Sequence, residues 1–196
     1  MGLIDDVLKE ELVARYREAG RQYHSLSHIQ ALLGLARHYA SLLSDPEAVE
    51  AAIWFHDAVY DTHAKDNEAQ SAALAAQRLK GRLVPGRLAM VVAMIEATAS
   101  HQVPEIGGED AALFLDMDLS ILGEVPEVFD AYEQGVRQEY GWVPQDRWCQ
   151  GRAAVLAGFL ARPRIFHSET FRHRYEAAAR ANISRSLERL KAGDQS

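Results

Sequence analysis

The chain has 196 residues, 48% of them hydrophobic and 25% charged, with a net charge of −7. That length suffices for one well-buried core, and the acidic balance excludes sequence-independent nucleic-acid binding through a broad basic face. The longest apolar run, which ends at Ile95, is far too short to span a bilayer.

The start, Met1 to Asp6, is acidic where a signal peptide is basic, and Asp6 stands where a myristoylation signal needs Ser or Thr. The single cysteine, Cys149, has no partner for an internal disulfide, so a cytoplasmic protein is expected. Leu3, Val7, Leu8, Leu12 and Tyr16 mark one face of a first helix, ended by Gly20. After a polar turn, Arg21 to Ser27, the spacing from Ile29 through Tyr39 to Leu43 predicts a second helix. Asp45-Pro46 starts a third, with Asp as N-cap and Pro in the first turn, running to His56. Asp66 caps a fourth that stops at Gly81, and Pro85 opens a fifth running to about Thr98. His101 to Gly108 reads as a loop, and Asp110 starts a short apolar helix through Leu122 that Gly123 stops. Pro126, Pro144 and Ser168 each open a further helix, the last reaching about Lys191. Two-residue alternation between hairpin turns is missing, so the expectation is an all-α protein with essentially no sheet. Without repeats or a linker, residues 1–196 read as a single domain.

Charge is unevenly spread. Residues 1–146 carry 11 basic and 24 acidic side chains, and residues 147–196 carry 10 and 4. Either the last helices pack electrostatically against the first, or an acidic metal-holding half is matched by arginines able to bind phosphate.

Of the eight histidines, His38, His63, His167 and His173 have polar or charged neighbours and read as surface residues. His24 and His28 lie four apart, but a zincin needs Glu after the first His and here that residue is Ser25. His56-Asp57 follows the apolar Ile53-Trp54-Phe55. Adjacent residues lie about 100° apart around a helix, so at its end both can lean toward one ion. A carboxylate buried there needs a cation or donors, and so does Asp118 within the apolar Phe114 to Gly123. The residues alone leave His24 open beside His28, and Asp116 open beside Asp118.

The ordered set Tyr23-His24-x-x-x-His28-Ile29, Trp54-Phe55-His56-Asp57-x-Val59-Tyr60 and Asn67-Glu68-x-x-Ser71-Ala72 continues through Thr98 and His101, Asp116 to Gly123, Val136 to Tyr140 and Gly151-Arg152. With these flanks the chain resembles the HD superfamily of metal-dependent phosphohydrolases, in particular a small bacterial branch of predicted hydrolases. The resemblance implies an orthogonal helical bundle of the HD type, with His28, His56, Asp57 and Asp118 as ligands of one divalent metal ion. Two nitrogens and two carboxylates suit Mn, Ni, Co, Fe, Zn or Mg alike. Asp116 then becomes a supporting or capping residue. Asp57 doubles as a candidate catalytic group, joined by Glu68. Tyr23, His24, Lys65, His101, Arg137 and Arg152 are candidate contacts to a small phosphorylated substrate. Two alternatives stand beside this: a two-iron oxygenase, which needs a second ligand set, and a non-catalytic metal- or nucleotide-binding module.

Overall fold

The computed structural model describes residues 2–192. Among these the only bridge is the isolated pair Lys80–Leu83, and the protein is all-helical. The helices are α1 (Asp6–Arg15), α2 (Leu26–His38), α3 (Pro46–Phe55), α4 (Asn67–Leu79), α5 (Pro85–Ala97), α6 (Gly108–Leu119), α7 (Pro126–Glu139), α8 (Gln145–Leu160) and α9 (Glu169–Ala192). No helix among the described residues is long and apolar enough to cross a membrane. The described residues group into two compact units, one ending at Asp118 and the other beginning at Leu119.

In the first unit α3 packs against α2, α4 and α5. Every residue from Ala51 to Phe55 is buried, which fits its unbroken apolar sequence. Its start is built as the sequence predicts: Pro46 lies in the first turn, and the Asp45 carboxylate accepts the Ala48 N–H at 3.1 Å. Arg87 pairs with the same carboxylate. The buried Asp110 of α6 accepts the N–H groups of Ser44 and Asp45, both at 2.8 Å, and so fixes the entry to α3 from outside.

This cap has a pH signature. The Arg87 hydrogen bond heads the causes that hold the Asp45 carboxyl below its ordinary range, against the opposing effect of burial. A depressed folded-state value means the stabilisation is fully present above about pH 4, the unfolded value, and is lost as pH falls through the folded one. Asp45→Ala is therefore expected to cost about 1–2 kcal/mol at neutral pH. The deficit should shrink as pH drops below about 4. Urea denaturation across that range measures both, and a pH-independent deficit would contradict the linkage.

The structure departs from the sequence reading at the end of the second helix, at the cap of the fourth, and in α6, which runs Gly108–Leu119 where Asp110 through Leu122 is expected. The second helix ends at His38 instead of continuing to Leu43; a 3-10 turn, Ala40–Leu42, follows and turns Leu43 inward to near-complete burial. Asp66 occupies the N-cap position of α4 without capping it; its carboxylate takes the Gln70 side-chain amide at 2.9 Å.

The second unit opens with a 3-10 turn, Ser120–Gly123, packed on α7 and α9, while α8 packs on α9. Asn182 of α9 donates to the carbonyls of Leu122 and Glu124 at 3.0 and 2.8 Å. Glu176 accepts the N–H groups of Ile165 and Phe166, ordering the approach to α9.

Candidate metal centre

The end of α3 leaves carbonyls without helical partners, and side chains occupy them. His56 is the C-cap residue, and its Nδ1 lies 2.9 Å from the Ile53 carbonyl. A carbonyl only accepts, so Nδ1 carries the proton and Nε2 faces the centre. Tyr16 donates its hydroxyl to the Trp54 carbonyl at 3.0 Å. Arg21 donates to the carbonyls of His24, Asp57 and Ala58 at 3.0, 2.8 and 3.3 Å. Its guanidinium lies against the rings of Tyr16 and Tyr60. From the other side, Ser71 Oγ accepts the Val59 N–H at 3.0 Å, and Asn67 brackets the backbone of Asp61. The motif residues of α4 thus hold the loop that leaves His56-Asp57.

His28 rises from the first turn of α2, and Asp118 lies near the end of α6. His28 Nε2 is 3.3 Å from His56 Nε2 and 3.2 Å from Asp118 Oδ1. His56 Nε2 is 3.0 Å from Asp57 Oδ2 and 3.6 Å from Asp118 Oδ1, and His28 Nε2 is 3.9 Å from Asp57 Oδ2. Both imidazoles are buried, and the side chains of Asp57 and Asp118 are half-buried, 17% and 14% exposed. His28, His56 and Asp118 form a group that could hold a metal ion, one ligand atom from each lying within 4.8 Å of the others. Donors about 2.1 Å from one ion and 90–110° apart stand roughly 3.0–3.4 Å from each other, with wider spacing across the ion. Three of the observed separations, 3.0, 3.2 and 3.3 Å, fall in that range and two, 3.6 and 3.9 Å, are wider; Asp57 stands beside the group of three, nearest to His56. The fit is also electrostatic. Burial opposes a charged His56, yet the carboxylates of Asp57 and Asp118 overcome it and hold the ring proton well above the ordinary imidazole range. Burial likewise opposes ionised Asp57 and Asp118, and the surrounding imidazoles keep both carboxyls far below their usual range. Two ionised carboxylates in a buried place make a site for positive charge.

The structure thus brings together His28, His56, Asp57 and Asp118, and adds His101, whose Nε2 is 3.0 Å from Asp118 Oδ2. Tyr23 and His24 border them: the Tyr23 ring is 4.9 Å from that of His28, and His24 stacks on Tyr60 at 4.4 Å. Asp116 is completely buried. Glu68 lies in the first turn of α4 and Lys65 is exposed; among the described residues no hydrogen bond ties either to the donors. Arg137 and Arg152 belong to the second unit, where their guanidinium groups are engaged. Arg137 donates to the carbonyls of Tyr140 and Val143 and lies over Trp148. Arg152, 9% exposed, pairs with Glu133 and donates to the Tyr132 hydroxyl at 2.6 Å, while Ser186 holds the other Glu133 oxygen. Freeing Arg152 would strand a sheltered carboxylate at a cost of about 3–5 kcal/mol. Both arginines, expected as phosphate contacts, have partners within the chain here.

Arg21 is the residue that the sequence reading passed over. It stands first in the histidine segment, but its partners Asp57 and Ala58 lie 36 and 37 positions on, and nothing local signals them.

Compared with known proteins, the chain matches no family model, no curated protein and no solved structure.

Proposed function

We propose that the chain is a metal-dependent phosphohydrolase of the HD type, acting on a phosphate ester of a nucleotide or another small phosphorylated metabolite. The observation that carries this reading is that the Nε2 atoms of His28 and His56 lie 3.3 Å apart and each stands 3.0–3.9 Å from a carboxylate oxygen of Asp57 and of Asp118. Their order supports it: His28 at a helix start, His56-Asp57 at a helix end, and Asp118 with two helices between, as in the superfamily that the sequence resembles. In the same reading α2 to α6 form the HD-type orthogonal bundle around one divalent ion, drawn from Mn, Ni, Co, Fe, Zn and Mg.

His28, His56, Asp57 and Asp118 would hold the ion, which supplies Lewis acidity toward a phosphoryl oxygen and makes water a better nucleophile near neutral pH. The chain's own residues do the rest. The Nδ1–H bond from His56 to the Ile53 carbonyl fixes the ring so that Nε2 stays turned inward. Asp57 offers a carboxylate oxygen as proton acceptor, backed by Arg21 on its own carbonyl. Tyr23 and His24, at the border, are placed to orient phosphate oxygens. Glu68 and Lys65 stand in this proposal as outer contacts that a bound substrate would draw in.

The test is a screen of phosphorylated metabolites on purified protein, with Mn, Co, Ni and Mg supplied in turn. One class of phosphate ester is expected to turn over, and Asp57→Asn to lower kcat at least about a hundredfold. A broad screen without activity that depends on His56 and Asp57 would end this reading. Activity retained in both His56→Ala and Asp57→Asn would point to a contaminating phosphatase and end it too.

A further inference from the structure

His101 has a backbone that its side chain makes costly. Its φ is +51°, and it is the one non-glycine residue with positive φ among the described residues. The reason lies at the end of α5. The Thr98 and Ala99 N–H groups reach back to Ile95 and Glu96, and the His101 N–H closes the turn on the Ala97 carbonyl at 2.7 Å. A left-handed residue at this point ends many helices, and it is usually glycine, which has no Cβ to crowd the neighbouring carbonyl. Histidine enters this conformation less readily, and strained backbone of this sort persists where the side chain is needed in one place.

That place is the outer oxygen of Asp118. The His101 imidazole is 18% exposed, and its Nε2 lies 3.0 Å from Asp118 Oδ2. A carboxylate accepts only, so Nε2–H donates. The other oxygen of the same carboxylate, Oδ1, stands 3.2 Å from His28 Nε2 and 3.6 Å from His56 Nε2. Without the His101 bond only the contacts of Oδ1 with the two imidazoles would orient the Asp118 carboxylate.

We propose that His101 is a positioning residue: the left-handed turn after α5 places its imidazole on the outer oxygen of Asp118, which sets the inner oxygen toward His28 and His56. The inference rests on the metal reading above, and it assigns His101 to the donor Asp118 in place of the substrate. Bonds of this kind to metal-binding carboxylates fix the donor's orientation, and their loss typically weakens metal affinity ten- to a hundredfold.

His101→Gly in the full chain separates the alternatives, because glycine accepts the same backbone and loses only the imidazole. Co(II) binding, followed by calorimetry and by the visible absorption of the loaded protein, is expected to weaken ten- to a hundredfold. The melting temperature of the chelator-treated protein should hold or rise by up to about 4 °C, as strain is relieved. His101→Asn, which also tolerates the left-handed region but has a shorter side chain, should weaken Co(II) binding in the same way. Unchanged Co(II) affinity in both variants, with normal binding by the unaltered chain, overturns the proposal and leaves the centre standing. Affinity and metal-free melting temperature falling together would mark an ordinary helix-ending role and overturn it as well. If the unaltered chain itself binds no Co(II), the metal reading fails and this inference fails with it.

Discussion

Asp118→Ala is expected to strip the protein of its ion while leaving its helices in place. Asp118 contributes the carboxylate that faces both imidazoles, so its loss leaves His28 and His56 converging on one carboxylate instead of two. Affinity should fall by more than about a hundredfold, since outer supports of a metal alone cost ten- to a hundredfold. The unaltered chain, purified without chelator, should carry close to one divalent ion, and after chelator treatment saturating Mn or Ni should raise its melting temperature by roughly 5–10 °C. His28→Ala should behave like Asp118→Ala. His38→Ala should not, because that imidazole is exposed at the far end of α2. Elemental analysis without metal, together with no thermal response to added Mn or Ni, would show that the cluster is held by its own hydrogen bonds alone. Two iron ions per chain would direct attention to oxidative chemistry.

Gly123→Ala is expected to damage stability more than any surface substitution. A Cβ built on Gly123 would stand 2.6 Å from the Cβ of Tyr175, 2.7 Å from its carbonyl oxygen and 3.0 Å from its Cα. These atoms belong to the backbone and Cβ of a residue in the second turn of α9 and cannot swing aside as a flexible side-chain tip can. The turn cannot withdraw easily either, because Asn182 holds the carbonyls on both sides of Gly123. Forcing a methyl into such contact costs about 3 kcal/mol, or a loss of roughly 6–12 °C in melting temperature. Thermal and urea denaturation measure it. A variant that melts within about a degree of the parent would refute the close approach of α9 to this turn.

Gly123 also shows where reading a sequence stops. It reads as the stop of a helix running through Leu122, but α6 ends earlier, at Leu119, and Gly123 closes the 3-10 turn that follows. The need for glycine, however, comes from a helix that passes some fifty residues later. Local physics was legible at several helix starts: Asp45-Pro46, Pro85 and Pro126 open helices where their backbone chemistry says they should. Asp57 and Asp118 were legible as groups needing a partner because burying charge beside apolar residues demands compensation, whereas the choice of His28 over His24 and of Asp118 over Asp116 rests on the resemblance. Partners far along the chain were not. Arg21 reads as one more polar residue in a turn, and Arg137 and Arg152 read as free cations until Glu133, Tyr132 and Trp148 are seen around them. The break after His38 was hidden because the apolar spacing continues across it, and only the inward turn of Leu43 shows why the helix stops.

The bonds that Tyr16 and Arg21 make to the end of α3 bear on how fast a cation is captured. Those two side chains and the Ile53 carbonyl order the His56-Asp57 backbone through contacts internal to the polypeptide. The entropy of arranging these donors is therefore spent during folding, and an arriving ion has little left to organise. Uptake should follow simple one-step kinetics, with the observed rate rising linearly with ion concentration and no slower rearrangement behind it.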